Sequence, residues 1–127
     1  YGCGSGILSI ISKRLGAKKV IGIDNDHQAL RNAERNKQLN SMEIDFFHTD
    51  NYQGSLKYDI VIANILLNTI IGLKETLMSS LNPNGILLLT GILKDQAIEL
   101  ISAFSPDINL SIIEEQEGWL LFQGKNS

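Results

Sequence analysis

Cysteine, proline and tryptophan are scarce in this 127-residue sequence, which has one Cys, two Pro and one Trp, and only 6% of its residues are aromatic. A single thiol, Cys3, excludes an internal disulfide framework and a multi-cysteine metal site, and it fits a reducing, cytoplasmic setting. Two prolines leave no room for a Pro-rich linker, and no internal repeat or low-complexity tract is present. Neither sign of charge dominates: 11 Lys and Arg stand against 14 Asp and Glu, for a net charge of -3. These charges are interspersed, so there is no electrostatic footprint for duplex nucleic acid. A membrane span needs roughly 18 apolar residues, and Asn64 and Asn68 interrupt the longest apolar stretch, residues 60–71. What remains is an ordinary globular composition, 43% hydrophobic and 20% charged. The expectation is one soluble domain, since a domain takes roughly 100 to 200 residues. The sequence opens on glycines at positions 2, 4 and 6 with no strand ahead of them. It therefore reads as a domain over residues 1–127 that begins at its own ligand loop.

Strand and helix periods alternate along the chain. Ile7, Leu8, Ile10, Ile11 and Leu15 describe an apolar helical face that stops at Gly16. Residues 19–24 read as a short buried strand, Asp26 as the cap of a helix reaching Asn40, and residues 43–49 as a third element. Tyr58 to Ala63 is a second buried strand. Helical spacing then runs from Leu67 to Leu81, ended by a turn at residues 82–85, followed by a strand over Ile86 to Thr90. Ala97, Leu100, Ile101 and Phe104 mark a last helix. Ile108, Leu110 and Ile112 alternate as a half-buried strand, and Glu117-Gly118 turns it into Trp119 to Phe122 as an antiparallel hairpin. Such alternation implies an α/β fold with a mostly parallel, Rossmann-like sheet and a terminal antiparallel hairpin.

In sheets of this kind, ligands bind beyond the carboxyl ends of the strands. Gly2, Gly4 and Gly6, with Cys3 between them, permit a sharp turn and close backbone approach to a ligand at a helix start. The same glycines would also suit a tight strand-to-helix turn with no ligand. Asp24 lies 22 residues beyond Gly2 at a strand end, where a carboxylate can accept hydrogen bonds from ribose hydroxyls. Asn25 follows it, and Asp26 reads first as a helix cap. Asp50 ends the third element, either meeting a base amino group or standing as a loop aspartate. A dinucleotide fingerprint would place its third glycine or alanine at position 7, and that position is Ile7. The spacing is Gly-x-Gly-x-Gly instead.

That loop, followed by an acidic strand end, resembles the S-adenosylmethionine loop of class I methyltransferases. The strings GCGSGILSI, GIDND, VIANIL and LLLTGIL, in this order, resemble more specifically the catalytic domain of the PrmA family, the methyltransferases of ribosomal protein L11. The resemblance covers most of the chain and implies a cofactor, S-adenosylmethionine, and a substrate, the α- and ε-amino groups of that ribosomal protein. It also implies a missing first strand, a missing N-terminal domain that recognises the substrate, and a missing acidic residue ahead of the glycine loop. Asn64-Ile65-Leu66 stands where many such enzymes carry a motif for amine substrates. Asn64 is accordingly the candidate for positioning the amine and for contacting the cofactor, or else it satisfies backbone at a strand end. Ile65 and Leu66 either wall the substrate pocket or join the core. Alternatives are a methyltransferase for another amine or a glutamine amide, a non-catalytic cofactor-binding fragment, and a nicotinamide-dependent oxidoreductase, which Ile7 disfavours. A cytoplasmic monomer that touches neither nucleic acid nor membrane is expected.

Other residues carry plainer expectations. Cys3 lacks a His and carboxylate spaced as a triad, so it reads as small-residue packing. His27 and His48 read as solvent-facing or hydrogen-bonded, with no further ligands for a metal. Trp119 reads as a hairpin core residue, Gly85 and Gly91 as turn and close-approach glycines, and Glu114, Glu115 and Glu117 as a solvated turn.

Overall fold

The structure is a computed structural model describing residues 1–127. Its chain divides into two compact units, Tyr1–Gln53 and Gly54–Ser127.

In the first unit the order is α1 (Ile7–Arg14), β1 (Ile21–Asp24), α2 (His27–Leu39) and β2 (Asp45–His48), closed by a 3-10 turn over Thr49–Asn51. β1 and β2 pair in parallel, with Asp24 opposite His48 at their carboxyl ends. α2 starts where a side-chain cap is available: the Asp26 carboxylate accepts from the Gln28 amide at 2.9 Å. Ala33 on α2 is fully buried. α1 departs from expectation. Only Ser9 and Ile10 are buried along it, while Ile7, Leu8, Ile11 and Leu15 remain exposed. Small residues set this contact, since a Cβ added to Gly22 of β1 would lie 3.1 Å from the Ser9 hydroxyl. The helix is thus buried through Ser9 and Ile10 alone, and most of its apolar stripe stays exposed.

The second unit runs β3 (Tyr58–Asn64), α3 (Leu67–Gly72), α4 (Lys74–Ser79), β4 (Leu81–Leu93), a 3-10 turn (Lys94–Gln96), α5 (Ala97–Phe104), β5 (Leu110–Gln116) and β6 (Trp119–Lys125). Its sheet has the order β3-β4-β6-β5. β3 and β4 are parallel, whereas β6 is antiparallel to both β4 and β5, so the sheet is mixed and ends in the expected hairpin. Leu87, Leu89 and Ile92 of β4, Leu100 and Phe104 of α5 and Phe122 of β6 are all fully buried. Each such side chain contributes about 1.5–3 kcal/mol by leaving water.

Four local expectations change. The single helix over residues 67–81 is two, broken at Leu73, which directly follows Gly72, a residue type unfavourable within helices. The turn over residues 82–85 lies inside β4 as an irregularity, because Leu81 pairs with Tyr58 and Ile86 already pairs with Ile60. Asn84 adopts φ 65° there, and its segment is tied to the chain end by Asn84 amide to Asn126 carbonyl at 3.0 Å and Asn126 amide to Gly85 carbonyl at 2.8 Å. Trp119 is not a core residue: strand period two gives the inward position to Leu120, leaving the indole half exposed. Ile112 is likewise exposed, because β5 is an edge strand whose register slips between Ile112 and Glu114.

Candidate functional site

The glycine loop is an unusual stretch of backbone. Gly2, Gly4 and Gly6 all lie in the left-handed region, with φ of 67°, 53° and 83°, which side chains rarely tolerate. A Cβ on Gly6 would sit 3.0 Å from the Phe46 ring and 3.1 Å from the Ala33 methyl, so this glycine lets α1, α2 and β2 close together. A Cβ on Gly4 would meet nothing within 4 Å. The middle of the loop is therefore open to a ligand while its end is packed tight.

Three long-range hydrogen bonds hold the loop. The Cys3 amide donates to the Ile23 carbonyl at 3.0 Å, which lays the loop along β1. The Asn36 side-chain amide on α2 donates to the Ser5 carbonyl at 2.9 Å. The Gly4 amide donates to Asp24 Oδ2 at 2.8 Å, and the Asp26 amide to Asp24 Oδ1 at 3.0 Å. Asp24 is thus already engaged with backbone, a role its position in the sequence did not disclose. A carboxylate offers about four acceptor sites, so two remain for hydroxyl donors, and the residue can close the loop and still receive a ribose. Nothing in the sequence signals the Asn36 tether, because its partner is 31 residues away.

At the other strand end, His48 Nδ1 accepts from the Asp50 amide at 3.1 Å, and Nε2 lies 3.0 Å from the Asn25 carbonyl. A nitrogen that accepts carries no hydrogen, so the tautomer with its hydrogen on Nε2 satisfies both bonds together. The His27 ring stacks on His48 with centroids 4.2 Å apart. The Asp50 carboxylate is 86% exposed. The first unit thereby gathers Gly2, Cys3, Gly4, Asp24, Asn25 and Asp50 around the carboxyl ends of β1 and β2, with Gly6 packed beneath them. Burial, aided by the Asp24 charge, pushes the Cys3 thiol up to about 11, which disfavours the thiolate that a nucleophile needs.

In the second unit, Asn64 ends β3, exposed and opposite Thr90 of β4. Gly91 adopts φ 86°, and a Cβ there would lie 2.7 Å from the Ile65 carbonyl and 3.1 Å from Asn64 Oδ1. This glycine makes room for the Asn64-Ile65 corner. Leu66 does not join the core, being 73% exposed at the start of α3, and Ile65 is half-buried. No cluster of three or more His, Cys, Asp or Glu is placed to hold a metal ion, and no helix is long and apolar enough to cross a membrane.

The loop and the acidic strand end fit an adenosine-bearing cofactor better than a dinucleotide, since Ile7 stands where the dinucleotide loop has the third small residue that packs its helix closely on the strand. Comparison with known proteins agrees. The chain is 39% identical over 128 residues to a ribosomal protein L11 methyltransferase of Janthinobacterium sp. (strain Marseille), and 41% identical over 124 residues to one of Paraburkholderia phytofirmans. Each alignment covers 98% of this chain and 41% of the relative, so the chain spans about two fifths of their length. A ribosomal protein L11 methylase from Lactobacillus delbrueckii subsp. bulgaricus superposes with a TM-score of 0.91 at 28% identity, over 99% of this chain and 67% of that one. A methyltransferase from Pyrococcus furiosus shares the fold, with a TM-score of 0.84 at 16% identity over 98% of this chain and 71% of that one. The family model for ribosomal protein L11 methyltransferase (PrmA) matches residues 1–127, and the chain belongs to that family.

Proposed function

We propose that this chain is the catalytic domain of an S-adenosylmethionine-dependent protein N-methyltransferase that methylates amino groups, lysine side chains and the α-amine, of ribosomal protein L11. The observation that carries the proposal is the family match across every residue of the chain, with relatives named for that substrate. The open Gly4 position and the Asp24 carboxylate beside it support the cofactor assignment.

When bound, the cofactor supplies an electrophilic methyl group. Gly2, Cys3 and Gly4 offer backbone to it, and Gly6 keeps the loop seated. Asp24 accepts from ribose hydroxyls on its remaining lone pairs, and Asn25 and Asp50 border the base. Methylation of an amine requires a neutral nitrogen whose lone pair faces the methyl carbon, so positioning is the main demand on the protein. The Asn64 side-chain carbonyl accepts one amine N–H and leaves the lone pair free. Ile65 and Leu66 wall the acceptor pocket, and the exposure of Leu66 supports this over a core role. On this reading the protein works in the cytoplasm as a monomer, without nucleic acid.

Incubation of the full-length protein with labelled methyl donor and purified ribosomal protein L11 tests the proposal. Label is expected on amino groups of the ribosomal protein, and label confined to glutamine side chains, or none, would refute it. Asn64→Ala should lower kcat roughly 10- to 100-fold, as misplacement of a reacting group does, with a smaller change in cofactor Kd.

A further inference from the structure

A loop with glycines at positions 2, 4 and 6 has many shapes open to it, since glycine takes either sign of φ at little steric cost. Groups outside the loop must choose among them. On the β1 side the choice is made by the Cys3 amide on the Ile23 carbonyl at 3.0 Å and by the Gly4 amide on Asp24 Oδ2 at 2.8 Å. The peptide between Ser5 and Gly6 is held differently. Its N–H donates to the Cys3 carbonyl at 2.9 Å, within the loop, and its carbonyl, that of Ser5, accepts from Asn36 Nδ2 of α2 at 2.9 Å. The Ser5 residue itself is exposed, so the loop is grasped here by its backbone.

α2 offers matched contacts to consecutive loop residues. Ala33 is fully buried where Gly6 closes on it, a Cβ on Gly6 lying 3.1 Å from its methyl. Asn36 stands three residues further along, on the same helix face, and reaches the carbonyl just before Gly6. Packing sets how far the loop lies from α2. The hydrogen bond sets which way the Ser5–Gly6 peptide points, because a planar trans peptide carries its carbonyl and N–H on opposite sides. Without the Asn36 donor, that peptide has a glycine on its C-terminal side and a single bond, to the loop itself, to keep it from turning over. One helical turn later on α2, Asn40 Oδ1 accepts from Arg14 Nη2 at 2.8 Å, so the same two helices are tied a second time at the last residue of α1, away from the glycines.

We infer that Asn36 is a positioning residue for cofactor binding: from α2 it fixes the Ser5–Gly6 peptide, and with it the loop shape in which the Gly4 position stands open. It acts through the loop backbone. The inference rests on the cofactor assignment above and extends the binding machinery to a helix face that the rule of strand ends does not reach.

Calorimetric titration of the full-length protein with S-adenosylmethionine and its demethylated product tests this. Asn36→Leu keeps the bulk of the side chain and removes the donor. Its Kd for both molecules should rise roughly 2- to 10-fold, the worth of one hydrogen bond. Asn36→Gln, which restores an amide donor, should recover part of that loss. Arg14→Ala breaks the other tie between α1 and α2 and should leave both Kd values unchanged, which separates positioning of the loop from packing of the helices. Wild-type affinity in Asn36→Leu, no recovery in Asn36→Gln, or an equal loss in Arg14→Ala overturns the inference while leaving the cofactor assignment standing. Failure of wild type to bind either molecule overturns the cofactor assignment and the inference with it. Independently of any variant, NMR of the wild-type protein should find the Asn36 side-chain amide exchanging with water more slowly than a free carboxamide, and more slowly still when S-adenosylmethionine is bound, because a tether that favours the cofactor is favoured by it in return. Exchange that the cofactor leaves unchanged refutes the inference.

Discussion

Asp24 shows how one side chain can serve two ends. Its oxygens already accept from the Gly4 and Asp26 amides, so removing it should do more than delete a ribose contact. Asp24→Ala is expected to weaken S-adenosylmethionine binding by about 1–3 kcal/mol through lost charged hydrogen bonds, and calorimetry should also show a lower melting temperature without cofactor. Unchanged melting would mean that the loop closes without it. Cys3, between the same glycines, has its thiol raised to about 11 by burial and then by the Asp24 charge. Iodoacetamide should barely modify it at neutral pH in the folded protein, with the rate climbing as pH nears that value, as followed by mass spectrometry. The linkage has a definite sign. A raised value keeps the proton on the folded state, so this contribution to stability is complete below the ordinary thiol value of 9.0 and fades as pH rises from there toward about 11.

At the scale of elements, close approaches decide what can be changed. A methyl on Gly91 would meet the Ile65 carbonyl at 2.7 Å, and the residue lies at φ 86°. Gly91→Ala should therefore destabilise the protein by about 1–3 kcal/mol, the cost of a residue held in a sparsely populated backbone region, and should lower kcat by displacing Asn64. A stable variant with full activity would show that the corner can shift freely. The β5–β6 hairpin offers the opposite case. Glu117 and Gly118 adopt φ of 53° and 84°, the pair of positive values that a two-residue type I′ turn requires, where Asn-Gly is favoured. Glu117→Asn should raise stability by about 0.5 kcal/mol, since Asn tolerates the left-handed region better than Glu, read as an increase in melting temperature. Gly118 has open space around its Cβ position, so Gly118→Ala isolates the conformational cost of φ without any steric one.

For the molecule as a whole, the largest fully buried side chains belong to the second unit, on α3 to α5, β4 and β6. Amide exchange should be slowest in β4 and β6, which are paired on both sides, and fastest along the free edge of β5, where only Leu110 is buried. Uniform protection across both units would refute this. The order of elements, the capping by Asp26 and the hairpin were legible in the sequence, because hydrophobic period and turn chemistry are local properties. The helix break after Gly72 and the exposure of Trp119 were open to the same arithmetic. The exposed stripe on α1 was not, because helical spacing identifies an apolar face without saying which part of it meets a partner. Glycine spacing and the acidic strand end are likewise short-range signals, and they are what point to the proposed ligand loop and cofactor. Only the tertiary structure seated Asp24 on the Gly4 amide, tied Asn36 to Ser5 and set His48 between Asn25 and Asp50. Those bonds join residues 20, 31 and 23 positions apart, and no local pattern encodes which strand ends will meet until the register of β1 on β2 is formed.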